Sequence, residues 1–193
     1  MGKRDSDIPL AYLNDVIAFD ISSPTLLRWK HRPREHFEVA NPAAHAWEGW
    51  NAHYAGKPAL TAQTEAGYRH GCLTFNGKTC TLYAHRVICA LLHGRWPVNE
   101  IDHINGNRSD NTPSNLREAT HIENGQNNSL HSNNTSGFLG VRWDRRRNKW
   151  KAEITVSRRR RHLGYFETAE AASAAYIASK TRHHPFSQRH GAA

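Results

Sequence analysis

One stretch constrains this chain more than any other. Gln126-Asn127-Asn128-Ser129-Leu130-His131-Ser132-Asn133-Asn134-Thr135-Ser136-Gly137 is almost wholly polar and dense in turn formers. Such a run suits neither a core helix nor a half-buried strand. It reads as a linker centred on residues 129–136, so the 193 residues divide into a longer body and a shorter C-terminal module. The charge divides at the same place. Up to His131 there are 13 Lys/Arg and 13 Asp/Glu, which cancel. From Ser132 onward there are 13 basic and 4 acidic side chains, so the whole formal charge of +9 lies in the last 62 residues. A neutral body with a cationic module points to a polyanionic partner. Trp143, Trp150, Leu163, Tyr165 and Phe166 are interleaved with these charges, which suits a folded module rather than a solubilising tail.

Several classes are excluded early. No apolar run approaches the ~20 residues needed to span a bilayer, and the longest near the middle is only Val87–Leu92. The N-terminal residues carry Asp5, Asp7, Asp15 and Asp20, unlike a secretory signal. A cytoplasmic protein without a membrane partner is expected. Cys72, Cys80 and Cys89 form no C-x-x-C pair, so zinc ligation by paired thiolates is not indicated. Reduced thiols are the expectation, with a Cys72–Cys80 bridge across a hairpin as the alternative.

After the linker the pattern predicts three strands and one helix. Leu139–Trp143 is the first strand, followed by the charged turn 144–148. Lys149–Val156 alternates with period two: Trp150, Ala152, Ile154 and Val156 on one face, Lys149, Lys151, Glu153 and Thr155 on the other. Arg160–Phe166 is the third strand, and Thr168 caps a helix to about Thr181. Small residues Ala169, Ala172 and Ala175 let that helix lie against the Trp150/Ile154 face. The opposite face then presents Arg142, Lys149, Lys151, Arg160 and His162, a cationic sheet of a kind that can enter a major groove. Ser136–Trp143, Lys149–Ile154, Leu163-Gly164-Tyr165-Phe166 and Thr168–Ala172 together resemble the Apetala/ethylene-response-factor DNA-binding domain across roughly residues 136–186. The resemblance implies binding of double-stranded DNA through the sheet, with Arg142 and Glu153 at the DNA face. Asp144 and Thr155 stand where plant members tend to carry arginine.

Residues 83–128 hold the chemistry. Tyr83–Gly94 reads as a short helix closed by glycine, Glu100–Arg108 as an extended segment running into an Asn-Gly turn, and Asp110–Thr120 as the returning chain. A second helix from Thr120 would carry Asn124 and Asn128 one turn apart on one face. A hard divalent ion takes oxygen ligands, few of them from protein; Asp102 and the amide oxygen of Asn124 are such a pair. His103 beside them can deprotonate a water aimed at phosphorus, and Asn115 can hold the hairpin and orient His103.

Ala84-His85-Arg86, Asp102–Asn107, Asp110-Asn111, Asn115–Thr120 and Glu123-Asn124 resemble the HNH endonuclease family in order and spacing. That resemblance implies a ββα-metal core with His103 as general base, Asn115 as the structural asparagine, and Asp102 and Asn124 as ligands of one ion. The motif ends in Asn124 where other members carry histidine, as in phage homing-type members, so magnesium or manganese is expected rather than zinc. Asn128 is either a further polar group behind the site or a capping or linker residue. His85 packs behind the hairpin or contacts phosphate; Arg117 reaches the scissile phosphate or covers the surface.

The first eighty residues say least. Leu10, Leu13, Val16 and Ile17 fit a short helix, Leu26–Lys30 a strand, and Trp47, Trp50 and Tyr54 a buried cluster. Gly67–Leu82 reads as a hairpin turning at Asn76-Gly77. Arg28, Lys30, Arg32 and Arg34 are candidates for extra DNA contact.

The expected fold class is α+β: a ββα-metal nuclease core followed by a small three-stranded antiparallel sheet packed on one helix. The expected layout is an N-terminal scaffold at 1–82, the nuclease core at 83–128, the linker at 129–136, the DNA-binding domain at 137–186 and a tail at 187–193. The expected function is a metal-dependent DNA endonuclease, of the phage homing type and acting inside an infected bacterial cell. The competing readings are a non-catalytic DNA-binding regulator that retains a nuclease fold, and a structure-selective or RNA-directed nuclease. Target sequence, nicking or double-strand cutting, and oligomeric state are not legible.

Overall fold

The computed structural model describes residues 5–38, 46–127, 130 and 133–187. The chain forms a mixed α+β structure with several small antiparallel sheets. It divides into two compact units, one of Met1–His103 with Asn107–Glu118, the other of Ile104–Gly106 with Ala119–Ala193.

The first unit begins with a single 3-10 turn at Asp5–Asp7 and a short helix α1, Leu10–Val16. The expected helix stops one residue short, because Ile17 already opens strand β1 (Ile17–Phe19), which pairs with β2 (Leu27–Trp29). Helices α2 (Glu35–Glu38) and α3 (Ala46–Tyr54) follow. The expected Trp cluster forms only in part. Trp29 is buried and meets Trp50 edge-on at 5.5 Å, but Tyr54 at the end of α3 is 41% exposed.

Strands β3 (Ala62–Gln63), β4 (Arg69–Phe75) and β5 (Lys78–Tyr83) make a meander. Its tight turn places Asn76 and Gly77 both at positive φ, 49° and 70°, the geometry that matches strand twist and that this dipeptide adopts at least cost. The register pairs Cys72 with Thr81 and Leu73 with Cys80. Cys72 and Cys80 thus point to opposite faces, and all three thiols are free. The chain passes directly from β5 into helix α4, Ala84–His93, which Gly94 ends in the left-handed conformation at φ 64°. Its face of Ala84, Val87, Ile88 and Ala90 is fully buried and joins Leu13, Val16, Leu27, Leu73 and Leu82 in one core. Strands β6 (Glu100–His103) and β7 (Leu116–Ala119) form a separate two-stranded sheet.

In the second unit, α5 covers only His121–Asn124. Thr120 and Glu123 form a reciprocal capping box at its start. The helix is shorter than the pattern suggested, since Gly125 and the amide-rich residues after it are poor helix formers. Asn128, expected one turn on from Asn124, lies outside the described residues, as does part of the expected linker. Strands β8 (Val141–Asp144), β9 (Lys149–Val156) and β10 (Arg159–Phe166) form a meander with β9 central, and α6 (Ala169–His183) contacts all three. Strand β8 starts two residues later than expected because Gly140 sits at φ +68°. A Cβ there would fall 2.1 Å from the Tyr176 ring, so only glycine lets α6 approach this closely. Val141, Ala152, Ala169 and Ala172 form the buried centre, with Phe138, Trp150, Leu163 and Phe166 packed around it.

Candidate active site

Strand β6 is buried at three successive residues, Ile101, Asp102 and His103. A strand covered on both faces has no solvated side on which to place polar groups, so each one must find a partner inside the protein. Asp102 finds Arg117 on the neighbouring strand β7. Arg117 donates from Nε at 2.9 Å and from Nη2 at 2.7 Å, both to Asp102 Oδ2. The carboxylate is 5% exposed, and the guanidinium supplies the counter-charge that such burial demands. Arg117, a candidate phosphate contact in the sequence, is thus brought onto Asp102 by the fold.

His103 is 4% exposed, with Nε2 lying 3.1 Å from Asn111 Oδ1. In the tautomer in which Nε2–H donates to that oxygen, the lone pair that can take a proton is on Nδ1. Burial lowers the His103 pKa, partly opposed by the Asn111 hydrogen bond and by Asp102 and Asp110, and reinforced by Arg108. The ring is thereby held neutral, the form a general base requires.

Asn115, 8% exposed, ends a 3-10 turn at Pro113–Asn115. Its Nδ2 donates to the Asp110 carbonyl at 2.8 Å, tying the returning segment just before Asn111. It therefore fastens the hairpin, and Asn111 is a hydrogen-bond partner of the His103 ring. Asn111 is a residue to which sequence reasoning gave no role. The signal available was weak, an Asp-Asn pair that most often marks a plain loop.

His85, on the first turn of α4, is 7% exposed and meets His103 edge-on with ring centroids 5.2 Å apart. Tyr68 lies 5.3 Å from His85 and 5.9 Å from His103, and Arg108 stands 5.1 Å over the Tyr68 ring. Burial first, then the neighbouring His103 and Arg86, push the His85 pKa down to about 3. His85 is thus a neutral ring packed against His103. Arg86 faces away, pairing with Asp5 and donating to the carbonyls of Pro97 and Asn99.

In the second unit Asn124 closes α5, and Asn127 Nδ2 donates to the Ile104 carbonyl at 3.2 Å. Among the described residues no group of three or more His, Cys, Asp or Glu is placed to hold a metal ion.

The C-terminal sheet gathers its candidates on one face. The register places Arg142 opposite Lys151, Glu153 opposite His162 and Thr155 opposite Arg160. With Lys149 two residues along β9, the six candidate DNA contacts share the face away from Ala152 and Ile154. Glu153 pairs with both Arg142, at 3.0 Å, and Lys151. These cations hold its carboxyl below the usual range against the opposing effect of its burial. Lys149 pairs with Glu167, His162 lies against Tyr165, and Arg142, Glu153, Thr155 and Arg160 line a shallow depression.

Of the N-terminal candidates, Arg28 pairs with Asp20 and Lys30 donates to the Asn14 carbonyl. Arg32 is no surface contact, being only 3% exposed.

Residues 82–126, which contain His85, β6, β7 and α5, match the family model of the HNH endonucleases. Protein 3.8 of Escherichia phage T7 is 30% identical over 88 residues, which cover 46% of this chain and 73% of the phage protein. No solved structure matches the chain significantly. The chain belongs to the same family as this phage protein, with an HNH endonuclease domain at residues 82–126. A nuclease domain implies a nucleic-acid substrate, and no helix among the described residues is long and apolar enough to cross a membrane.

Proposed function

We propose that the protein is a metal-dependent DNA endonuclease in which residues 83–128 cut and residues 137–186 hold double-stranded DNA. The observation that carries this reading is the buried polar cluster of the HNH segment. A neutral His103, bonded to Asn111, adjoins a carboxylate held by Arg117, all on a hairpin fastened by Asn115. Burying this many polar groups in so short a segment costs stability, and proteins tolerate that where chemistry uses it.

Asp102 and Asn124 are the residues we assign to the ion. Their chemistry fits a hard cation: a carboxylate and an amide oxygen. Magnesium or manganese bound there would stabilise charge on the phosphate oxygens. The protein's own part is acid–base and positional. His103 takes the proton of an attacking water, while Asn111 holds its ring. Arg117 fixes Asp102 through two hydrogen bonds to one carboxylate oxygen, and His85 and Tyr68 pack against the His103 ring.

The C-terminal sheet, which resembles the Apetala-type domain, supplies affinity. Arg142, Lys151, Arg160 and their neighbours contact DNA, and Glu153 orients two of these cations. The linker around 129–136 raises the local concentration of phosphodiester at the cutting site without adding contacts there. The setting we infer is a bacterial cell infected by phage, as for the T7 relative.

The test is cleavage of supercoiled plasmid, and of phage genomic DNA, by wild type and His103→Ala with magnesium or with chelator. Open circles or linear DNA from wild type alone, and only with metal, are expected. Equal cleavage by the His103→Ala protein, or none by wild type on either substrate, refutes the assignment.

A further inference from the structure

A second site lies in the N-terminal part of the first unit, built around Arg32. This side chain is 3% exposed. Its guanidinium lies 4.3 Å from the centre of the Phe37 ring, 4.8 Å from that of Trp50 and 5.7 Å from that of Tyr12. Its main chain is clamped, the Asn51 amide bonding both the Arg32 N–H and its carbonyl at 2.9 Å. Yet among the described residues no carboxylate pairs with it. Its side-chain hydrogen bonds go to the Tyr12 hydroxyl and, at 3.5 Å, to the Thr74 carbonyl, and Nε is buried with no partner.

Buried arginines are ordinarily paired. Contacts with aromatic faces offset only part of the cost of dehydrating a guanidinium. Burial accordingly lowers its affinity for its proton. Next to it, His36 Nδ1 is likewise buried without a partner. Both residues line a cavity of about 230 Å³ together with Phe37, Trp50, Cys72 and Thr74. The cavity therefore holds one positive charge with no carboxylate in its lining, a second nitrogen without a partner and apolar walls; the Asp15 carboxylate approaches only the other ring nitrogen of His36, at 4.0 Å.

We propose that this pocket binds a phosphate monoester, with Arg32 and His36 as its anion-recognising residues. The missing counter-charge is the reason: an oxyanion supplies it and accepts several hydrogen bonds at once, which a forked guanidinium matches. The duplex backbone is an unsuitable occupant, since an internal phosphodiester cannot enter a pocket whose arginine is this enclosed. A free phosphate or a terminal phosphate on a strand can. This inference stands apart from the proposed nuclease mechanism and uses none of its residues.

Cys72 makes the test site-specific. It lines the pocket and is exposed, whereas Cys80 and Cys89 are buried. Alkylation of each cysteine by neutral iodoacetamide is followed by mass spectrometry in the full-length protein at constant ionic strength. The probes are inorganic phosphate and a short thymidylate oligonucleotide with either a 5′-phosphate or a 5′-hydroxyl. Phosphate at ten times its dissociation constant should slow Cys72 alkylation about elevenfold by mass action, with no change at the other thiols. Protection by the phosphorylated oligonucleotide but not by inorganic phosphate identifies a strand end as the occupant. Arg32→Met should abolish the protection of Cys72 by every phosphorylated probe, each rate being compared with that of the same variant without ligand. Arg32→Lys, which keeps the charge and loses the fork, should shift protection to higher phosphate and serves if the Met variant does not fold. No protection of wild type by any phosphorylated probe, or the same concentration dependence in the variants, overturns the proposal.

Discussion

Replacing His85 by Phe should make the protein markedly more resistant to acid. In the native state His85 is buried against Tyr68, Tyr83 and His103, and its pKa falls to about 3. In the unfolded chain it titrates near 6.5. Because the folded pKa is the lower one, the unfolded state binds the proton first. The stability that neutral His85 allows is therefore complete above pH 6.5 and is lost as pH falls toward 3. At 1.36 kcal/mol per pH unit, protonation of the unfolded chain costs about 3 kcal/mol of stability by pH 4. The limiting loss below pH 3 is about 5 kcal/mol. Phenylalanine keeps the ring packing and removes the titration, along with an Nδ1 that has no hydrogen-bond partner in the fold. Urea unfolding of both proteins between about pH 4 and pH 8 measures this directly. Wild type should lose about 3 kcal/mol more than the variant across that range. Parallel curves for the two would refute the argument that burial holds His85 neutral.

Other expectations follow from the same contacts. Arg117→Met leaves the Asp102 carboxylate buried without its counter-charge and should cost about 3–5 kcal/mol in denaturant unfolding, part of which Asp102→Asn in the same chain should restore. Gly140→Val places a side chain into the Tyr176 ring and the Glu153 carbonyl at φ +68°, so it should lower stability by about 3 kcal/mol or more, seen as a fall in Tm. Arg142→Ala should weaken duplex binding and reduce the slope of log affinity against log salt by about 1, measured by fluorescence anisotropy. Unchanged affinity and slope would remove Arg142 from the interface.

What the sequence determined alone was whatever depends on neighbours along the chain. Asn76-Gly77 between two alternating runs specifies its own turn, because the dipeptide tolerates two successive positive φ angles. The period-two pattern of Lys149–Val156 specifies which side chains share a face, and the observed strand has those bounds. Gly94 ending α4 is equally local. The HNH segment was legible for another reason: its residue types recur at fixed spacing, and the family match at residues 82–126 covers the same stretch.

Tertiary structure decided the pairings. That Arg117 holds Asp102, and that Asn111 meets the His103 ring, follows from the β6–β7 hairpin closing over residues 15 and 8 positions apart. Nothing in the local sequence sets those distances. Arg32 shows the limit most plainly. In a run with Lys30 and Arg34 it reads as one more surface cation, yet Tyr12, Phe37 and Trp50 come from three other segments to enclose it. Whether a charge meets water or aromatic rings depends on which distant elements pack around it, and that is settled only when the core forms.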